Sequence, residues 1–157
     1  MKLWKCNHWD LYLYQDRRTG VRLRFDKGVD PEVRRACLAF VQWMRKNFDS
    51  PIRIPIYLKN KEFIVSNQGE QASAAFFGPY DKRFEPYIRI SVGDYKTLLK
   101  SRGKDRALAA ILHSVAHEMS HYYQWIKDTL DDPRAERQAR YYARRVLDIY
   151  AQTREHP

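Results

Sequence analysis

The chain of 157 residues is short of several things that define common protein classes. It has two cysteines, Cys6 and Cys37, too few for the disulfide framework that staples small secreted domains. Cys37 falls on the apolar face of a helical pattern and reads as a small buried hydrophobe, and Cys6 with His8 lacks the second pair a structural metal site needs. Nowhere do about 18 apolar residues run together, so no membrane span is expected. Met1 to Asp10 carries Lys2, Lys5, Cys6, Asn7 and His8 in place of the apolar core of a signal peptide, and a soluble, cytoplasmic protein is expected. Internal repeats, low-complexity tracts and the usual helix-turn-helix, zinc-finger and RNA-binding signatures are missing.

Negative charge is also scarce. Lys and Arg number 29 against 19 acids, a formal charge of +10. That balance favours an acidic or nucleic-acid partner, although charge speaks to association and not to reaction. Much of it lies at Arg134, Arg137, Arg140, Arg144, Arg145 and Arg154, where the solvated face of an amphipathic helix is the competing explanation. The 44% apolar content suits one core, and residues 1–157 read as a single domain.

Along the chain, Trp9 to Gln15 and Val21 to Phe25 alternate apolar and polar around a Gly-containing loop, which predicts a β-hairpin. From Asp30 the period changes: Asp30 as cap, Pro31 at the first position and Val33, Cys37, Phe40, Val41, Met44 and Phe48 at helical spacing predict a helix that backs a sheet. Ile52 to Leu58 is a strand, placed by Pro55 at an edge or bulge. Lys59 to Gln71 reads as a loop with one short strand. Ala72 to Phe77 reads as a strand rich in small residues, with Pro86 to Val92 as its antiparallel partner.

The most informative stretch follows. Ala107 to Leu112 are strong helix formers, and they lead into His117, Glu118, Met119, Ser120, His121, an HExxH motif. On a helix, residues four apart stand one above the other, about 6 Å along the axis, so both imidazoles can hold one ion. Glu118 lies about 100° round from His117, able to reach a water on that ion without being a ligand. A catalytic zinc needs a third protein ligand. The HExxHxxGxxH continuation fails, because Gln124 and Lys127 stand where Gly and His are required.

Glu136 is the strongest candidate for that third ligand. It follows His121 after fourteen residues, beyond a break in which Asp132 is expected as N-cap and Pro133 as first residue of a second helix. It lies on the edge of the apolar stripe of Ala135, Ala139, Tyr142, Ala143, Val146 and Tyr150, where a carboxylate needs a partner. An exposed ion pair from Glu136 to Arg140 is the alternative, and Asp128, Asp131 and Asp132 are rival ligands in the turn. His113, one turn before His117, is either a supporting group or an ordinary histidine; Trp125 either walls the site or fills core.

HExxH followed after a short turn by a helix opening with Glu resembles the gluzincin class of zinc metallopeptidases, and the size is similar to minigluzincins and ImmA/IrrE-type proteases. The likeness covers residues 72 to 150. It implies an α+β, small, single-domain zincin-like fold: an N-terminal hairpin and backing helix, a mixed twisted sheet with an edge strand, the HExxH helix and a C-terminal glutamate helix. It also implies that Ala74 and Ala75 lie on the edge along which a peptide substrate binds. Members of the class often carry an acidic or amide residue four after the ligand Glu, where this chain has Arg140. The expected activity is that of a zinc-dependent endopeptidase: His117, His121 and Glu136 bind Zn2+, and Glu118 is the general base for a zinc-bound water. An oxyanion donor is open among Tyr80, Tyr141 and Tyr142. The alternative is a non-catalytic binding module of the same fold whose basic surface takes an acidic protein or nucleic acid.

Overall fold

Helix α1 (Pro31–Asn47) forms where the apolar spacing changes. The Asp30 carboxylate accepts the Glu32 N–H at 2.9 Å, and Pro31 occupies the first turn, where its missing N–H costs nothing. The computed structural model describes residues 1–5 and 18–157. The expected first hairpin arm, Trp9 to Gln15, lies outside these residues, as do Cys6 and His8.

Strand β1 (Val21–Phe25) runs parallel to β2 (Ile54–Lys59), with Val21 opposite Ile54 and Phe25 opposite Leu58. Among the described residues, then, β1 does not close an antiparallel hairpin; it begins a β-α-β unit whose crossover is α1. The alternation of Val21, Leu23 and Phe25 with two arginines is a one-sided strand pattern that fits either pairing, and the partner is chosen by what α1 buries.

The remaining strands are β3 (Ile64–Val65), β4 (Gln71–Ala72), β5 (Ala74–Phe77) and β6 (Tyr87–Ser91). The main sheet has the order β1-β2-β6-β5, with β6 parallel to β2 and β5 antiparallel to β6. β2 is therefore internal, which corrects the edge or bulged position expected from Pro55. Ile54 donates its N–H to Gly20 O on the β1 side, so the Pro55 nitrogen faces β6, and the β2–β6 ladder begins only at Ile56 opposite Ile88. The missing donor falls just before the pairing that would need it. The loop expected over Lys59 to Gln71 holds two short strands, β3 and β4, paired as a small separate hairpin.

Helices α2 (Tyr95–Arg102), α3 (Lys104–Ile126) and α4 (Ala135–Ala151) follow. α2 escapes the sequence reading because only Tyr95 in it is buried, leaving almost no periodic signal. Gly103, at φ +82°, separates α2 from α3 in a backbone conformation that side-chain-bearing residues avoid.

One contiguous core joins Ile54, Ile56, Leu58, Ile88 and Ile90 of the sheet to Val33, Phe40 and Met44 of α1 and Leu108, Leu112, Val115 and Met119 of α3. Cys37 is wholly buried in it, as its apolar position suggested, and burial pushes its thiol up to about 12. The whole is an α+β domain with a mixed sheet. Among the described residues no helix is long and apolar enough to cross a membrane.

Two tyrosines fasten the C-terminal half of α3. Tyr122 Oη donates to Ile52 O at 2.5 Å and accepts the Ile52 N–H at 3.0 Å, while Tyr123 Oη donates to Asp49 O at 2.9 Å. Ile52 is buried, so there the bonds replace water that cannot enter, while the bond to Asp49 is only part-buried. Tyr122→Phe should therefore destabilise the protein by about 1–3 kcal/mol in urea denaturation, since it orphans both backbone groups of Ile52. A change within about 0.5 kcal/mol would show that those groups find other partners.

Candidate metal centre

α3 ends in a Schellman motif: Thr129 donates its N–H to Gln124 O at 2.9 Å and Asp128 to Trp125 O at 3.2 Å, with Asp128 at φ 56°. The chain thereby reverses and returns as α4 against α3. The helix proper starts at Ala135, later than expected. Asp132 does cap, its carboxylate accepting the Arg134 N–H at 2.8 Å, but it closes a turn before the helix, and Pro133 lies in that turn. This places Glu136 in the first turn of α4, opposite the HExxH segment.

Three Lewis bases converge there. His117 Nε2 and His121 Nε2 are 3.2 Å apart, His117 Nε2 lies 3.2 Å from Glu136 Oε2, and His121 Nε2 lies 2.9 Å from Glu136 Oε1. Tetrahedral bonds of about 2 Å hold ligand atoms about 3.3 Å apart, so the spacing of these three donors fits a single ion. The group can hold a metal ion, and it is the one such group found among the described residues. The Glu136 side chain is 65% exposed, so it is not tucked against the core as its place on the stripe suggested; its carboxylate nevertheless turns in to both imidazoles. No ion pair to Arg140 forms among the described residues. Asp128 instead pairs with Lys82, and Asp131 and Asp132 line the cleft without joining the three ligands.

Burial, followed by the neighbouring His121, lowers the His117 pKa from 6.5 to about 4, against the pull of Glu136. Its imidazole is neutral at pH 7, as a ligand must be. His121 owes its orientation to Gln124. Nδ1 of His121 stands 2.7 Å from Gln124 Oε1, which can only accept, so the ring proton is on Nδ1 and the Nε2 lone pair faces Glu136 and His117. The Gln124 amide nitrogen donates to Ala135 O at 2.9 Å and to Gln138 Oε1 at 2.8 Å, tying the ligand helix to the helix that carries Glu136. The sequence reading noted Gln124 only as a missing glycine. Its signal was its position: one turn after His121, with an acceptor and a donor on the same amide.

Glu118 is buried, 7% exposed, with its pKa raised from 4.5 to about 8 by burial first and the Glu136 charge second; the Phe76 backbone pulls it back. A dication between the ligands would add to that lowering. The carboxyl faces a cleft of about 560 Å³ lined by Ala74, Ala75, Phe76, Glu118, His121 and Glu136 together with parts of the turn after β3 and of the segment between α3 and α4.

β5 forms one wall of this cleft and is the edge of the sheet among the described residues. Ser91 donates its N–H to Ser73 O at 2.8 Å, so in the alternating ladder Ser73, Ala75 and Phe77 bond to β6 while Ala74 and Phe76 turn their backbone groups outward. Of the two alanines singled out, both line the cleft, but only Ala74 offers main-chain hydrogen bonds there.

Trp125 is core and brace: its indole donates to Pro79 O at 2.8 Å, and a Cβ at Gly78 would come within 2.5 Å of its ring. His113 is half-buried, its pKa lowered by burial and by Arg144, and it lines a separate cavity of about 630 Å³ between α3 and α4. Tyr80 and Tyr141 are exposed, and neither they nor Tyr142 line the cleft. No family model, no curated protein and no solved structure matches the chain.

Gln124→Leu should weaken divalent-metal affinity by about 10- to 100-fold in chelator competition, because His121 loses its orienting acceptor; unchanged affinity would mean the ring is held by packing alone. A second expectation concerns the metal-free protein. Glu118 keeps its proton in the native state up to about pH 8 but loses it near 4.5 when unfolded, so its contribution to stability is full below 4.5 and lost as pH rises through 8. Between pH 6.5 and 8.5, above the range where His117 titrates, the metal-free protein should lose on the order of 2 kcal/mol relative to Glu118→Gln. Parallel stability curves for the two proteins would contradict this.

Proposed function

We propose that the protein is a zinc-dependent peptidase. The observation that carries the reading is the convergence of His117, His121 and Glu136 to within 3.2 Å of one another, with buried Glu118 facing the same cleft. The N₂O donor set of His117, His121 and Glu136 suits zinc. On this reading the domain is zincin-like, with α3 as the HExxH helix and α4 as the glutamate helix.

His117, His121 and Glu136 would hold the ion. When bound, zinc supplies a Lewis acid for a carbonyl and lowers the pKa of a water toward ~7. Ala74, with outward N–H and C=O on the β5 edge, binds the backbone of an extended peptide as an added strand, so main-chain hydrogen bonds set its direction across the cleft. Glu118 takes the proton of the attacking water and delivers it to the leaving amine nitrogen as the C–N bond breaks. Its buried setting suits both halves of that role, since a carboxyl held near neutrality can accept and then release a proton.

Zinc content and cleavage of a mixed peptide library, read by mass spectrometry, test this together. Glu118→Gln should retain zinc and lose about a hundred- to ten-thousandfold in turnover, whereas Glu136→Ala should lose zinc itself. A Glu118→Gln protein that cleaves at the wild-type rate would refute the assigned base.

A further inference from the structure

The main sheet has a second face, away from α1 and α3, whose outward positions include two cross-strand rows, followed by Lys59 beside Ser91, with Lys59 paired to Asp26 at 3.5 Å. In register, Arg24, Tyr57, Arg89 and Ala75 stand side by side across all four strands. One step along the strands, Arg22 lies beside Pro55, and Tyr87 beside Phe77. Tyr57 is 36% exposed and Phe77 37%, while Arg22 and Arg24 are exposed. The rings form a cluster, with centroids 6.3 Å apart for Tyr57 and Tyr87 and 5.1 Å for Phe77 and Tyr87. No carboxylate occupies either row, and Arg22, Arg24 and Arg89 make no ion pair among the described residues. Arg89 is held in place by Val65 O at 2.8 Å and lies 5.9 Å from the Tyr87 ring.

A second observation points the same way. β1, β2 and β6 are mutually parallel, and parallel strands are ordinarily covered on both faces, yet among the described residues the helices lie on one face only. What is left is a platform of aromatic rings with cations between them, flanked by Asp26 and Glu85, whose carboxylates are paired with Lys59 and Arg53; the Lys59 ammonium lies 5.6 Å from the Tyr57 ring.

We propose that this face binds single-stranded nucleic acid. Tyr57, Tyr87 and Phe77 stack on unpaired bases, and Arg22, Arg24 and Arg89 neutralise the flanking phosphates. The two rows are about 6.6 Å apart along the strands, enough to seat successive splayed bases on separate rings. A duplex hides its base faces and cannot use the rings. An acidic peptide would satisfy the arginines through its carboxylates without needing the rings, whereas a single strand repeats one base and one phosphate per nucleotide and uses both. None of these residues belongs to the metal centre, so the inference stands or falls apart from the peptidase reading.

Fluorescence anisotropy of the full chain with labelled oligo(dT) and oligo(rU) tests it. Both the charge and the stacking should show: a salt slope of about −2 for three phosphates, and single strands bound at least about tenfold tighter than a duplex of equal charge. A preference between the two oligonucleotides assigns DNA or RNA, and either result supports the proposal. Tyr57→Leu, which keeps apolar bulk at an exposed site, should weaken binding at least about fivefold, and Arg24→Gln should weaken it and lower the slope by about 0.7. Arg145→Gln on the far side of α4 should leave binding unchanged. Equal affinity for duplex, displacement by polyglutamate as effective as by oligo(dT), or indifference to Tyr57→Leu would each overturn the assignment.

Discussion

A single amide holds the candidate centre together. Gln124 accepts from the ring of His121 through its oxygen and donates to the start of α4 through its nitrogen, so the tautomer of one ligand and the position of another depend on the same side chain. Both groups are buried at Gln124, where an unmade hydrogen bond costs more than a made one contributes. The two helices can therefore slide little without orphaning polar atoms. The tyrosines beside it, Tyr122 and Tyr123, fasten the same turn of α3 to the segment before β2.

Around this brace the site is built from opposed electrical demands. Burial keeps His117 neutral and tends to keep Glu118 protonated, and Glu136 adds negative charge beside both. A cluster of bases with a neutral imidazole and a reluctant carboxyl is poorly satisfied alone and well satisfied by a dication. β5 serves both sides of the sheet: Ala74 and Phe76 turn toward the centre, while Ala75 and Phe77 belong to the aromatic and cationic face. The alternation of a strand turns successive side chains to opposite faces, so four consecutive residues serve both, with Ala75 at the edge also lining the cleft.

The elements that were legible in the chain are those whose signal is local. Asp30 and Pro31 announce α1, the run from Ala107 makes a helix of the HExxH stretch, and small and aromatic residues mark β5 and β6. β1's partner and the interior place of β2 were not legible, because a one-sided strand reads the same in parallel and antiparallel pairing and Pro55 is tolerated only by an accident of ladder onset. α2 was missed for want of a buried face, and α4 was started too early because Asp132 caps a turn rather than the helix.

Among the candidate ligands, the spacing of His117 and His121 follows from helix geometry alone, and the sequence by itself determined that both imidazoles share a face with Glu118 beside them. That Glu136 reaches them, although largely exposed, was decided by the tertiary structure, through the reversal at Asp128 and the packing of α4 on α3. So was the role of Gln124, whose meaning depends on a backbone carbonyl eleven residues away, and the assembly of Arg24, Tyr57 and Arg89 into one row from three strands. Periodicity is written along a chain, whereas a contact between distant segments exists only once burial has chosen which faces meet.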